Sequence, residues 1–112
     1  MSPRDWGDRI RDILDAIDEI GVFTQGMNLA SFLNDAKTLR AVELDFILIG
    51  EAVSKVPDDI QEAHPEVPWN LIRAMRNRLV HVYFEIDPHL VWDTIQNDLP
   101  ALVAPLKVLI AG

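Results

Sequence analysis

The residues whose types best suit chemistry lie in one segment of the chain, Trp69 to Tyr83. These fifteen residues contain none of the eighteen acidic residues of the sequence, but they contain three arginines and a histidine: Arg73, Arg76, Arg78 and His81. The whole chain carries a net charge of −8. Such a charge argues against a broad surface for nucleic acid, whereas a local cationic segment can concentrate an anion at one place. Any anion site is therefore predicted on this segment.

The spacing within the segment predicts a two-faced helix. Apolar residues recur at steps of three and four along one face: Ile72, Met75, Leu79 and Val82. Arg73, Asn77 and His81 follow one another at four-residue intervals, so they line up on the opposite face. Arg76 lies roughly 140° around the helix from His81. The two groups converge most easily when a second copy of the helix packs about a two-fold axis, which predicts a homodimer.

A cleft with paired arginines and histidines suits metal-independent cleavage of RNA. A neutral imidazole can take the proton of the ribose 2′-OH, and guanidinium groups can stabilise the charge that develops on the phosphate. Asn77 could orient the ring or the phosphate. DNA lacks the 2′-OH and is excluded as a substrate. The spacing alone is equally typical of ordinary surface or interhelix groups.

The elements that must position this segment are also predicted to be helical. A first helix has Ser2 as its N-cap and Pro3 at its first position, and a helical stub follows within Met27–Asn34. A second helix begins after Asn34 as its cap and ends before Pro57.

The second half of the chain continues this pattern. A single helical turn is predicted around Asp58–Ala63, and a third long helix runs from Trp69 to about Tyr83. The dipeptide Asp87-Pro88 starts a fourth helix that runs towards Ile110, and Pro100 kinks or splits it. The fold class is thus all-α, a bundle of four main helices with a short extra one.

Composition limits the remaining possibilities. A chain of 112 residues with 49% apolar residues fits one domain, residues 1–112. It has no cysteine and no clustered ligands at metal spacing, so neither a metal site nor a cofactor is expected. The first nine residues are too charged for a secretory signal, and the apolar run from Leu99 is short and holds Pro100, Pro105 and Lys107. We therefore expect a cytoplasmic protein with no membrane partner.

Several motifs, taken in order, resemble one known family. The stretch Met75-Arg-Asn-Arg-Leu-Val-His-Val-Tyr-Phe84 resembles the Arg-x4-6-His-x-Tyr signature of the HEPN superfamily, in particular the HepT-like toxins encoded beside minimal nucleotidyltransferase antitoxins. The likeness extends over nearly the whole chain, through the segments Ile13–Ile20, Ile49–Ala52, Pro65–Trp69, Glu85–Asp87 and Asn97–Pro100.

The resemblance implies an all-helical, homodimeric ribonuclease toxin with a HEPN-like fold. Arg76 and His81 fall on the catalytic pair of the family, and Asn77 on the polar residue that commonly follows the arginine. Tyr83 falls on the tyrosine that the partner nucleotidyltransferase modifies with AMP to silence the toxin, and a higher toxin–antitoxin assembly is left open. The sequence departs from the family pattern at Arg78 and Val82, which leaves substrate preference and partner contacts open.

Several other residues that could take part in function could equally have a structural or surface role. Glu51 lies in an apolar part of the second helix, where it would either be buried against Arg76 or Arg73 as a supporting residue or face solvent. His64 and His89 are predicted at the surface. The acidic residues of the first helix form a solvated face or attract a basic partner, and the three tryptophans, Trp6, Trp69 and Trp92, are predicted as core or interface residues.

A function without catalysis fits the same features. In this alternative the protein is a helical dimer that binds a nucleotide or presents Tyr83 to a nucleotidyltransferase. The sequence determines neither the RNA target nor the cleavage position. It also does not establish that an antitoxin gene lies beside this one.

Overall fold

A computed structural model of the chain describes residues 5–80 and 87–111, with the backbone alone for 76–80. All regular structure in these ranges is helical, which confirms the all-α prediction. The helices are α1 (Trp6–Phe23), α2 (Leu29–Leu33), α3 (Ala36–Ser54), α4 (Asp58–Ala63), α5 (Trp69–Val80), α6 (Pro88–Asn97) and α7 (Leu99–Ala111). The short helices α2 and α4 match the predicted stub and the predicted single turn.

Helix α1 begins later than the sequence predicts. Asp5 is its N-cap and accepts a hydrogen bond from the backbone N–H of Asp8 at 3.0 Å, so the predicted start at Ser2 and Pro3 is wrong. Ser2 and Pro3 themselves lie outside the described residues. An aspartate caps as well as a serine does, and here it stands one residue before the first helical residue, Trp6.

Helix α3 also begins one residue later than predicted. The carboxylate of Asp35 accepts hydrogen bonds from the backbone N–H of Thr38 at 3.0 Å and from its hydroxyl at 2.7 Å. These bonds lower the pKa of Asp35. Asn34, the predicted cap, instead donates its side-chain N–H to the carbonyl of Ala30 at 3.0 Å and ends α2.

The last predicted helix is divided, as the position of Pro100 indicates. Helix α6 begins with Pro88 after the cap Asp87, and it ends at Asn97. Helix α7 starts at Leu99, which places Pro100 in its first turn, where the missing N–H costs no intrahelical hydrogen bond. The prediction of a split is therefore confirmed.

The core lies where α1 packs against α3 and α7, and where α3 packs in turn against α5. The apolar stripe of α1 is fully buried at Ile10, Ile13 and Ile20. Trp69 is buried, whereas Trp6 and Trp92 pack against the core from its edge. The Trp92 ring lies 5.1 Å from that of Phe32, measured between centroids. The prediction of core or interface tryptophans is confirmed as core for Trp69, while Trp6 and Trp92 are partly buried against it.

Candidate functional site

Helix α5 presents its apolar side to the core and carries the arginines of the cationic segment. Ile72 is 0% exposed and Met75 is 1% exposed, while Arg73 on the other side is exposed. The first two members of the predicted apolar face are thus confirmed. The side chain of Leu79 and the whole of Val82 lie outside the described part of the chain.

Only part of the predicted catalytic set lies among the described residues. Arg76 and Asn77 belong to the helical backbone, but their side chains, like that of Arg78, lie outside the described part. His81 and Tyr83 lie outside the described residues altogether. The backbone is helical to Val80, so positions 73 and 77 share one face of α5, as predicted. The convergence of Arg76 with His81 stays a prediction.

Arg73 is held in place by two neutral side chains. Its guanidinium donates one hydrogen bond to Oε1 of Gln61 on α4 and a second, at 2.6 Å, to Oδ1 of Asn70. The amide Nε2 of Gln61 in turn donates to the backbone carbonyl of Val56 at 3.0 Å. The position of the Arg73 charge is therefore fixed by the loop that joins α3 to α4.

Sequence reasoning missed both partners of Arg73. Asn70 precedes Arg73 by three residues, which is the spacing of neighbours on a helix surface, so this contact had a signal in the sequence. Gln61 lies twelve residues away, and only the turn between α4 and α5 brings it to the guanidinium.

Glu51 is exposed, so the prediction of a buried carboxylate at this position is wrong. The core is reached by other positions of α3, among them Gly50, Ala52 and Val53. The part of α3 before Glu51 is apolar in sequence partly because of Leu44, Ile47 and Leu48, but these three side chains are exposed. The alternative of a solvent-facing Glu51 fits this exposure, and a supporting role for Glu51 beside a site arginine stays untested.

The buried acid of α3 is instead Asp45, which is 2% exposed. Burial, together with the neighbouring carboxyl of Glu19 on α1, raises the pKa of Asp45 to about 7. Its Oδ2 atom has no hydrogen-bond partner within the described residues. The signal was present, because Asp45 stands three residues after Val42 and four before Ile49 in the buried stripe.

The two described histidines serve local structure. His89 is exposed, as predicted, with Nδ1 at 3.4 Å from Oδ1 of Asp87. His64 is half-buried: its Nδ1 lies 3.1 Å from Oε1 of Glu66, and its backbone carbonyl accepts a hydrogen bond from Nε1 of Trp69 at 3.0 Å. A backbone hydrogen bond and the His64 side chain lower the pKa of Glu66. Neither histidine lies on α5.

The acidic face of α1 is mostly solvated. Asp15 and Asp18 are exposed, and Asp8 forms a salt bridge of 3.2 Å with Arg11. Over residues 5–80 and 87–111, no three His, Cys, Asp or Glu side chains are grouped so as to hold a metal ion. None of the helices in those ranges has the length and apolarity needed to cross a membrane.

Comparison with known proteins decides the family. Residues 13–109 match the sequence profile described as "Ribonuclease HepT-like". A protein of Thermococcus cleftensis named "Probable ribonuclease HepT" is 39% identical over 106 residues, which cover 95% of this chain and 96% of that protein. The chain belongs to the HepT-like ribonuclease family. This membership confirms the predicted resemblance and the prediction that the chain is an enzyme of ribonuclease type.

Further relatives cover the HepT-like chain almost completely. Two proteins of Methanocaldococcus jannaschii whose names contain the term RNase are each 36% identical over 110 residues. The aligned regions span 98% of this chain and 91% and 95% of the two relatives. No solved structure matches the chain. The family assignment therefore rests on sequence, and the helical architecture described above is consistent with it.

Proposed function

We propose that this HepT-like protein is a metal-independent endoribonuclease toxin that acts as a homodimer in the cytoplasm, with residues 1–112 as its single domain. The observation that carries the proposal is the family membership, combined with the sequence position of Arg76 and His81 in the acid-free segment whose described part is helix α5. A local cationic helix in a chain of net charge −8 supports binding of an anionic substrate at this end of the molecule.

The proposed chemistry uses an imidazole and a guanidinium. His81 removes the proton of a ribose 2′-OH, and the oxygen attacks the adjacent phosphorus. The bond to the 5′-oxygen of the next nucleotide breaks, and that oxygen takes up a proton from solvent, to which the protonated His81 imidazole then returns the proton that it removed. Arg76 stabilises the negative charge on the phosphate in the transition state. The products are a 2′,3′-cyclic phosphate and a 5′-hydroxyl, which this mechanism cannot form from DNA.

Three further residues have supporting roles in this proposal. Asn77 lies one helical turn before His81 and orients the imidazole or the phosphate, and Arg73 adds positive charge one turn before Asn77. Glu51 is retained as a residue that positions a site arginine from the surface of α3. No cofactor is required by the reaction.

Regulation is proposed to act through Tyr83. A cognate minimal nucleotidyltransferase antitoxin transfers AMP to its hydroxyl, two residues from His81. The added phosphate carries negative charge and bulk beside the cleft, so it repels RNA and blocks access to the imidazole. The assembly with the antitoxin contains at least the toxin dimer.

The test is RNA cleavage in EDTA by the wild type, Arg76→Ala and His81→Ala. Loss of a general acid–base group or of its electrostatic partner is expected to lower the rate by about 10²- to 10⁴-fold. Arg40→Ala and His89→Ala remove the same side-chain types at exposed positions on α3 and α6 and should retain the wild-type rate. Equal cleavage by all five proteins would refute the site assignment.

The alternative is a non-catalytic dimer that binds a nucleotide or serves as a substrate for a nucleotidyltransferase. It is favoured if the wild type leaves RNA intact while incubation with a nucleotidyltransferase and ATP adds AMP to Tyr83, detected by mass spectrometry. Tyr83→Phe is the control for the modified residue. An unmodified wild type in the presence of an active cognate transferase would contradict the role of Tyr83 in both versions.

A further inference from the structure

A cavity of about 460 Å³ opens between α4 and the N-terminal part of α5. Its lining includes Arg73, Asn70 and Gln61, and also the carboxylates of Asp58 and Glu62. This volume lies within the range of sites that hold small organic ligands. The cavity borders the helix that carries Arg76, and the proposed reaction uses none of its lining residues except the positive charge of Arg73.

The guanidinium of Arg73 is preorganised for binding an anion at this cavity. Its two hydrogen-bond partners, Gln61 and Asn70, are neutral amides, so its positive charge is retained. Within residues 5–80 and 87–111, no carboxylate forms a salt bridge with it. A guanidinium already held by two side chains loses little rotamer freedom on binding, and its planar donors match the geometry of phosphate oxygens.

The cavity is close to the proposed cleavage site along the helix. Arg73 precedes Arg76 by three residues, which corresponds to about 4.5 Å along the axis of α5. Neighbouring nucleotides of one RNA strand can bridge such a distance. A strand with one phosphate at Arg76 can therefore place the adjacent nucleotide at the cavity.

The opposite charges among the residues that line the cavity favour one orientation of that nucleotide. Asp58 and Glu62 repel a phosphate, which favours a phosphate that faces Arg73 and a base that faces the carboxylates. Ionised carboxylates only accept hydrogen bonds. Cytosine, adenine and guanine offer an exocyclic amino group as donor, whereas uracil presents carbonyl oxygens at those positions.

We propose that this cavity binds the nucleotide next to the cleaved phosphate and selects its base. Arg73 contacts the phosphate, while Asp58 and Glu62 accept hydrogen bonds from an exocyclic amino group. The identity of the ligand as RNA rests on the proposed function. The site therefore adds specificity to the reaction and disfavours uridine at the adjacent position.

The phosphate contact is tested by fluorescence anisotropy with 2′-O-methyl RNA oligonucleotides, which keep every phosphate but cannot be cleaved. Arg73→Gln is expected to weaken binding about tenfold and to make the slope of log K against log salt shallower by about 0.7 per lost contact. Arg73→Lys keeps the charge, so it should retain the slope. Arg40→Gln removes an exposed arginine on α3 and should bind as the wild type does.

The outcome is independent of catalysis, because binding is measured on RNA that lacks a free 2′-OH. Loss of affinity in Arg73→Gln supports the subsite even if the wild type cleaves no RNA, a result that would refute only the proposed reaction. Equal affinity and equal slope in wild type and Arg73→Gln, with both proteins folded by circular dichroism, overturn the subsite.

Base selection is tested with 2′-O-methyl oligo(C) and oligo(U), which are both pyrimidine strands. The wild type is expected to bind oligo(C) about tenfold more tightly, and Asp58→Ala and Glu62→Ala should each reduce this ratio. Asp59→Ala is the matched control, because Asp59 shares the first turn of α4 with Asp58 but does not line the cavity. Equal wild-type affinity for the two strands overturns base selection.

Discussion

At the scale of single residues, the helical pattern predicts which positions are buried better than the apolar character of the neighbouring sequence does. Glu51 sits among apolar neighbours and is exposed, whereas Asp45 occupies a core position of the same helix and is buried. Asp45 lies three residues after Val42 and four before Ile49, and this helical spacing predicts that it is buried. The apolar residues around Glu51 predict burial there too, but that prediction is wrong. Arg73 was predictable as an exposed cation, but its anchoring by Gln61 depends on tertiary structure.

Asp45→Asn is expected to stabilise the protein at pH 8 more than at pH 5. The pKa of Asp45 is raised from an ordinary value of 3.8 to about 7, so the folded state favours the protonated carboxyl. The wild type therefore loses stability as pH rises from about 4 through 7, whereas asparagine does not titrate. We expect the free energy of unfolding of Asp45→Asn, measured with urea, to exceed that of the wild type by a few kcal/mol at pH 8 and by less at pH 5.

The control for this titration is Asp18→Asn, which changes an exposed acid of α1. This variant keeps Asp45, so it should lose stability between pH 5 and pH 8 as the wild type does. A gain in Asp45→Asn that is equally large at both pH values would contradict the assignment of the raised pKa to Asp45.

At the scale of secondary-structure elements, helix types, their order and several helix starts follow from the sequence, while the starts of α1 and α3 do not. The position of Pro100 predicts the division between α6 and α7, because a proline fits the first turn of a helix without loss of a hydrogen bond. Pro105 lies inside α7 and does not divide it, so a proline alone does not determine where a helix ends. Caps are ambiguous when two suitable residues are adjacent, as Asn34 and Asp35 are. Both can accept hydrogen bonds from a helix start, and only the path of the chain out of α2 selects Asp35.

Asp35→Ala should lower the melting temperature more than Asn34→Ala does. The first change removes the two hydrogen bonds to Thr38 at the start of α3, and we expect a drop of about 4 °C in thermal unfolding. The second removes one exposed bond to the carbonyl of Ala30. The difference in melting temperature between the two variants should become smaller as pH falls below about 4. The lowered pKa of Asp35 means that its hydrogen bonds stabilise the fold only while the carboxyl is ionised. A larger drop in melting temperature for Asn34→Ala than for Asp35→Ala would indicate that Asn34 caps α3, as the sequence predicts, and would contradict the assignment of Asp35.

At the scale of the whole molecule, the family membership and the helical architecture support a proposed site on helix α5. The charge of the chain is strongly negative, so the proposed binding of RNA relies on the local cations of α5. The sequence predicts the fold class and the helix that carries the site, but it places Arg76 and His81 on different sides of that helix. We propose that they converge between two protomers, and such an arrangement cannot be read from the sequence of one chain.

The central claim is that Arg76 of one protomer works with His81 of its partner, and mixing two inactive variants tests it most directly. Arg76→Ala and His81→Ala are each purified, mixed in equal amounts, unfolded and refolded together, and then assayed for RNA cleavage in EDTA. Random pairing makes about half of the dimers mixed, and each mixed dimer has one of two sites intact, so we predict about a quarter of the wild-type activity. Activity no higher than that of either variant refolded alone, in a sample with the mass of a dimer, would contradict the account.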